Sequence, residues 1–304
     1  GLNIMAQRFT TAGTAVWSAP VRINHTPVGT YIYSLQLTEL TDNQAMVAFV
    51  DGRSATDRVY VQRIQANGSP AWADDKQVQN AIFATETSVR IGHDGSGIAI
   101  VAWQQDDGVD VDIAFTRVDM TGTATWDPAK IAHLDTTDTQ SSLNMVVSPG
   151  DGIYFSWREY GGAVSKLEMQ KWYFNGTCPF VSDFTLVGNA DNLSHASLHL
   201  LSTGNLLYMF SATVDYMNVM GTAVISPEFD LLTTPQILTD PTSFWYTGLI
   251  SVGTSSSGGA LVIWDAFGDY VSEDRMMKVG NLGQKLWPGH RTVERQGGPP
   301  LRYY

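Results

Sequence analysis

Five short polar segments each follow an apolar run, and they hold most of the residues that could do chemistry. They are Asp51-Gly52-Arg53, Gln104 to Asp110, Arg158-Glu159-Tyr160, Thr213 to Tyr216 and Asp265 to Asp269. Carboxylate, guanidinium and aromatic groups side by side can bind a sugar: the ring stacks on its apolar face and the polar atoms bond its hydroxyls. Asp51, Arg53, Gln105, Arg158, Glu159, Tyr160 and Asp265 are the candidate ligand-binding residues on that reading. Cleaving a glycosidic bond needs two carboxylates facing each other across a cleft. Asp51, Glu159 and Asp265 are the candidates for that role, although a register shared by the repeat also explains them. The plain alternative is that all these residues are turn formers satisfying their own loops.

Asp106, Asp107, Asp110 and Asp112 form the densest carboxylate cluster, and their hard oxygens suit Ca²⁺. Their order does not match an EF-hand loop, and no other copy in the chain preserves it, so a solvated acidic loop is the competing expectation. No other cofactor is expected. His195 and His199 are the one histidine pair at a metal-ligand spacing. That i, i+4 pair converges only on a helix, and here it falls in or beside a strand. Cys178 is the single cysteine, which excludes an internal disulfide and any multi-cysteine metal site.

What must position these segments is a repeat. Phe49, Trp103, Trp157, Ser211 and Trp264 each close an apolar run, at spacings of 54, 54, 54 and 53. The turn glycines Gly13, Gly68, Gly122, Gly176 and Gly283 form a second series in the same period, with one copy skipped. Four residues after them stand Trp17, Trp72, Trp126, Phe180 and Trp287. The skipped copy survives weakly around Val219 to Ile237, with Pro227 near its turn.

No stretch keeps a helical apolar period over three turns, and Gly, Pro, Asn and Asp interrupt the chain every 8 to 12 residues. Four short antiparallel strands per unit of about 53 residues predict the blade of a β-propeller. The fold class expected is all-β: a propeller of four-stranded antiparallel blades. The apolar second strands would fill the layers between blades, and each glycine-linked Trp would cover its neighbour's flank.

Six outer hairpins but five inner ones are legible. The expectation is six-fold geometry, with one blade incomplete or closed by the N-terminal hairpin; the alternative is a five-bladed ring. A single domain over 1–304 is expected, with repeats near 1–24, 25–80, 81–134, 135–188, 189–239 and 240–295, and a tail at 296–304. Leu301 to Tyr304 could begin the missing strands, which implies the remainder of a longer chain, or a partner.

Net charge is −12 with a pI near 4.7, and the 18 basic residues are scattered. Phosphate-backbone binding needs clustered Lys and Arg, so nucleic acid is excluded as an expected partner. Apolar runs of six or seven residues are far too short for a membrane span.

At Asn3-Ile-Met-Ala-Gln-Arg8 and Gly13 … Trp17, and at Asp94-Gly-Ser-Gly-Ile-Ala-Ile-Val-Ala-Trp103, Asp112-Ile-Ala-Phe-Thr-Arg117 and Gly122 … Trp126, the chain resembles a known repeat. It is similar to the DGSGGAIVAWQD … DIYAQR … NG … W repeats of large secreted or cell-surface bacterial proteins of the Bacteroidota type, often exported by the type IX pathway. The similarity is strong over residues 1–187 and fades in 205–238. The resemblance implies an extracellular β-propeller and supplies no common catalytic residues. The function expected is a non-catalytic module for adhesion or assembly, binding a glycan or a cell-surface protein. The alternative is a polysaccharide-active hydrolase or lyase on the same scaffold.

Overall fold

The computed structural model describes residues 2–25, 31–53, 56–79, 85–134, 138–160, 164–188, 193–214, 217–239, 246–267 and 272–293. Among these residues every regular element is a strand except one 3₁₀ turn, Thr41–Asn43. No described helix is long and apolar enough to cross a membrane. The chain divides into two compact units, Gly1–Gly188 and Asn189–Tyr304.

The first unit opens with a two-stranded hairpin, β1 (Met5–Ala6) and β2 (Val21–Arg22). Three four-stranded antiparallel sheets follow, each in chain order. The first is β3 (Ile32–Glu39), β4 (Ala45–Asp51), β5 (Arg58–Ile64) and β6 (Lys76–Gln77). The second is β7 (Thr85–His93), β8 (Ala99–Asp106), β9 (Val111–Val118) and β10 (Lys130–Ile131). The third is β11 (Thr139–Ser148), β12 (Gly152–Tyr160), β13 (Lys166–Trp172) and β14 (Phe184–Val187).

The second unit holds two more sheets of the same order. They are β15 (Leu193–Leu200), β16 (Leu206–Val214), β17 (Met217–Ile225) and β18 (Gln236–Ile237), then β19 (Tyr246–Thr254), β20 (Ala260–Phe267), β21 (Ser272–Val279) and β22 (Arg291–Val293). Five four-stranded antiparallel units of one design, preceded by the outer half of a sixth, are the blades of a β-propeller fold.

The aromatic series sits at matching points of the ladder. Phe49 pairs with Tyr60, Trp103 with Ala114, Trp157 with Glu168, Ser211 with Met220 and Trp264 with Arg275. Trp103, Trp157 and Trp264 are fully buried. The second strand of the second sheet, β8, is apolar on both faces because both are covered: Val101 and Trp103 pack with Ala48, Val50 and Val59 of the first sheet, while Ile100 and Ala102 pack with Phe155 and Trp157 of the third. Burying each such ring contributes about 1.5–3 kcal/mol.

One turn closes all six outer hairpins. The glycine N–H returns to the carbonyl three residues back at Gly13, Gly68, Gly122, Gly176 and Gly283, each at positive φ. In the copy that lacks the glycine, Phe229 makes the same bond to Ser226 and takes φ +70 itself. The outer hairpin that lacks the glycine is therefore present in full at 217–237, where the sequence carries only a faint trace.

The first strand of each four-stranded sheet carries a bulge, which sequence reading missed. The register slips at Ile32/Leu35, Thr87/Arg90, Ser141/Asn144, Leu193/His195 and Leu249/Ser251. Ser88 and Ser142, one period apart, stand at positive φ inside it.

Candidate functional site

Register decides where the polar candidates point. Asp51, Gln105 and Glu159 each stand two residues beyond the buried aromatic of their strand. Side chains alternate along a strand, so all three lie on the face that buries the aromatic. All three are buried, and each is satisfied differently.

Asp51 accepts the backbone N–H and Nε of Arg53 at 2.8 and 2.6 Å, and Arg53 Nη1 reaches Asp75 at 2.9 Å. The guanidinium lies over the Tyr60 ring, 4.1 Å from its centroid. Asp75 also accepts the His25 N–H and the Gln62 amide. Asp51 and Arg53 thus form the inner part of a closed cluster linking the N-terminal hairpin to the first sheet.

Gln105 accepts from Gln79 Nε2 at 3.3 Å, and the same nitrogen donates to Glu86 at 2.9 Å. The other Glu86 oxygen takes the Val59 N–H at 2.7 Å. Burial pushes the Glu86 carboxyl above its ordinary range, against the pull of those hydrogen bonds and of Arg58.

The third sheet is different. Lys166 stands opposite Glu159 and Glu168 opposite Trp157, so Glu159 and Glu168 are diagonal neighbours on one face. Such a pair has Cβ atoms about 7 Å apart or somewhat less. Lys166 Nζ bonds Glu159 at 2.9 Å, and that bond raises the Lys166 pKa. Thr185 donates to Glu168 at 2.9 Å. Burial raises the Glu168 carboxyl, more than the Thr185 bond lowers it, and the charge of Glu159 adds to the rise.

With Leu134, Val181, Ser182 and Asp183 these residues line an open cleft of about 400 Å³ at the edge of the second and third sheets. Its far wall is pinned by Asp183, which accepts the Leu134 N–H and the Gln170 amide. The arrangement places a carboxyl whose pKa burial raises beside an ion-paired carboxylate, both lining one solvent-connected space. Two carboxyls in unlike surroundings are the kind of pair that general acid–base chemistry uses. Lys166, Glu168 and Asp183 were not among the candidates. The strand pairing of Glu159 with Lys166 is the signal that could have found them.

Arg158 and Tyr160 point to the opposite face from Glu159. Arg158 donates to Ser165 Oγ and stacks over the exposed Tyr160 ring at 4.9 Å. Asp265 follows Trp264 directly, so it matches Arg158 rather than Glu159. It pairs with Asp274 on the other face of its sheet. This corrects the grouping of Asp51, Glu159 and Asp265 in one register: a one-residue offset turns a side chain to the opposite face. Tyr216, Gly268 and Asp269, named with the polar segments above, lie outside the described residues, as does the side chain of Thr213.

The acidic loop is organised by its own backbone. Asp106 accepts the Gly108 N–H, and Asp107 accepts those of Val109 and Asp110, which lowers the Asp107 carboxyl. Asp110 accepts the Thr139 hydroxyl at 2.6 Å, and Asp112 lies 3.0 Å from His133 Nε2. Among the described residues no three His, Cys, Asp or Glu side chains are placed to share a metal ion. His199 lies on β15 with Ser197 Oγ 2.8 Å from its Nε2, and the side chain of His195 lies outside the described residues.

Neither a protein-family model nor a curated protein sequence matches the chain. Solved structures do. An ulvan lyase of polysaccharide lyase family PL25, bound to -[GlcA(1-4)Rha3S]-, aligns with TM-score 0.62 at 11% identity over 91% of this chain and 69% of its own. A second structure of a PL25 ulvan lyase gives 0.61 with the same identity and coverage. A protein of unknown function from Dyadobacter fermentans gives 0.54 at 7% identity, over 91% of this chain and 86% of its own. At these identities the likeness is one of fold.

Proposed function

We propose that this chain is an exported, polysaccharide-active propeller whose working cleft is the one lined by Glu159, Lys166 and Glu168. The observation that carries the proposal is the pair of unlike carboxyls in a single open space. Burial keeps a proton on Glu168 beyond the ordinary carboxylate range, while Lys166 compensates the charge of Glu159. In glycoside hydrolysis Glu168 would give its proton to the departing glycosidic oxygen as the C–O bond breaks. Glu159 would take one from the water that adds to the anomeric carbon. Ser182, Asp183 and Thr185 offer hydroxyl-matching partners along the wall. Polysaccharide as substrate class draws support from the ulvan lyases of the same fold, and export from the repeat resemblance.

A non-catalytic glycan-binding module is the second reading. One observation favours it: Glu159 and Glu168 are only 3% and 4% exposed, so a ligand touches their edges unless the cleft widens. A glycan array followed by an assay of reducing ends and unsaturated products on each hit separates the two. Binding with release supports the enzyme, binding without release supports the module, and no binding to any glycan defeats both.

A further inference from the structure

The cleft at the edge of the third sheet is lined by charge of almost one sign. Glu159, Glu168 and Asp183 face Lys166, the one cation among its described lining residues. That cation is already committed. The hydrogen bond and the charge of Glu159 raise the Lys166 pKa most, and the charges of Glu168 and Asp138 raise it further. Glu168 in turn is raised by burial first, and then by the like charges of Glu159 and Asp183. Arg158 brings no relief, since it points to the opposite face and is held there by Ser165 and the Tyr160 ring.

The same sign continues to one side. His133 and Leu134 are consecutive, and while Leu134 lines this cleft, His133 lines a second one of about 450 Å³. Asp107, Asp110 and Asp112 line the second cleft, and among its described lining residues there is no Lys or Arg. His133 is held by Asp112 at 3.0 Å. Backbone N–H groups of Asp110 and Val109 hold the Asp107 carboxyl below its ordinary range, so it is charged at neutral pH.

A cleft lined by one sign of charge concentrates its field in the space a ligand must enter. A uronate or sulfate group there would meet like charge, and repulsion of this kind is how a site rejects the wrong partner. An uncharged sugar meets no such penalty. It has apolar contact to gain as well, because Leu134 and Val181 line the same cleft and Val181 is 99% exposed.

We propose that the polysaccharide taken by this cleft is a neutral glycan, and that uronate-bearing and sulfated polymers are excluded by charge. The inference rests on the reading of the cleft as polysaccharide-active, and it decides the chemistry. Elimination removes the proton beside a uronate carboxyl; the electron pair left behind becomes a C=C bond as the neighbouring C–O bond breaks. A substrate without that carboxyl has no such acidic proton. Hydrolysis remains: water oxygen bonds the anomeric carbon and gives its proton to Glu159, while the glycosidic oxygen keeps the electron pair of the broken bond and takes the proton of Glu168.

The test sets neutral polysaccharides (arabinan, galactan, xylan, mannan and β-glucan) against ulvan, polygalacturonate and alginate, the acidic ones also in carboxyl-reduced form. Binding and the release of reducing ends are measured with the whole chain, together with unsaturated products. The best neutral polymer should bind at least about tenfold more tightly than the best acidic one at low salt, and the ratio should shrink as salt screens the cleft. Reducing ends should come from neutral polymers alone. Tighter binding of an acidic polymer than of its carboxyl-reduced form, unsaturated products, or a preference unmoved by salt would overturn this inference and leave the polysaccharide reading standing. Binding to no polymer of either kind would overturn both.

Discussion

Trp72 lies against Gly122, the turn glycine of the next sheet, and its indole N–H donates to the Met120 carbonyl at 3.3 Å. Trp17 repeats the relationship with Gly68, donating to Ala66 at 3.0 Å, and Trp126 packs against Gly176. The two sequence series, turn glycines and following tryptophans, are thus one device. In these three pairs the Trp of one hairpin reaches the glycine of the next, and the glycine leaves the room for it.

Gly122→Ala should accordingly cost more than a backbone penalty. The residue sits at φ +86, and an added methyl would meet Trp72 Cε2 at 3.2 Å and Lys76 Cγ at 2.6 Å. We expect a loss of about 2–3 kcal/mol in chemical denaturation. Gly13→Ala, also at positive φ but facing open space, should lose about 1 kcal/mol or less.

Arg53→Ala should be among the most damaging surface-proximal changes. It would leave Asp51 and Asp75, both buried, without their shared cation. Breaking a buried ion pair from one side costs about 3–5 kcal/mol. Urea titration would measure it. Glycan binding by the variant, assayed below its melting range, should be unchanged, because the cluster is closed to the cleft.

Stability of the first unit should fall as pH rises out of the ordinary carboxylate range. Burial raises the Glu86 pKa in the folded chain, so the folded state holds this proton more tightly than the unfolded one. The favourable contribution is complete below the unfolded value, near 4.5, and is lost as pH rises through the folded value. Glu86→Gln should flatten that slope in a series of denaturation curves between acid and neutral pH.

The second unit should show the opposite slope. Burial lowers the His199 pKa from 6.5 to about 4. Neutral His199 therefore supports the fold above pH 6.5, and the support drains away as pH falls toward 4, by at most about 3 kcal/mol. His199→Gln should remove the dependence.

The period, the strand order and the buried aromatics were legible in the sequence because a small repeating unit must mark its packing contacts with the same residue types each time. The outer turn around Phe229 was barely legible because backbone hydrogen bonds form it, and a buried Phe can take the strained position that glycine takes elsewhere. The bulges beside Ser88 and Ser142 were not legible, since serine at positive φ leaves no compositional mark. Of the site, Glu159 was found from its place after Trp157. Lys166, Glu168 and Asp183 come from the next strand and hairpin, and only pairing brings them together. Asp51 and Arg53 have the right chemistry for a ligand, but they spend it on each other and on Asp75.

The decisive measurement is the rate at which Glu168→Gln releases product from whichever polysaccharide the wild-type chain binds. Removing the general acid should lower that rate by about a hundredfold or more while binding persists. A rate equal to wild type, or a wild-type chain that binds polysaccharide and never cleaves it, would contradict the assignment of this cleft as a catalytic centre.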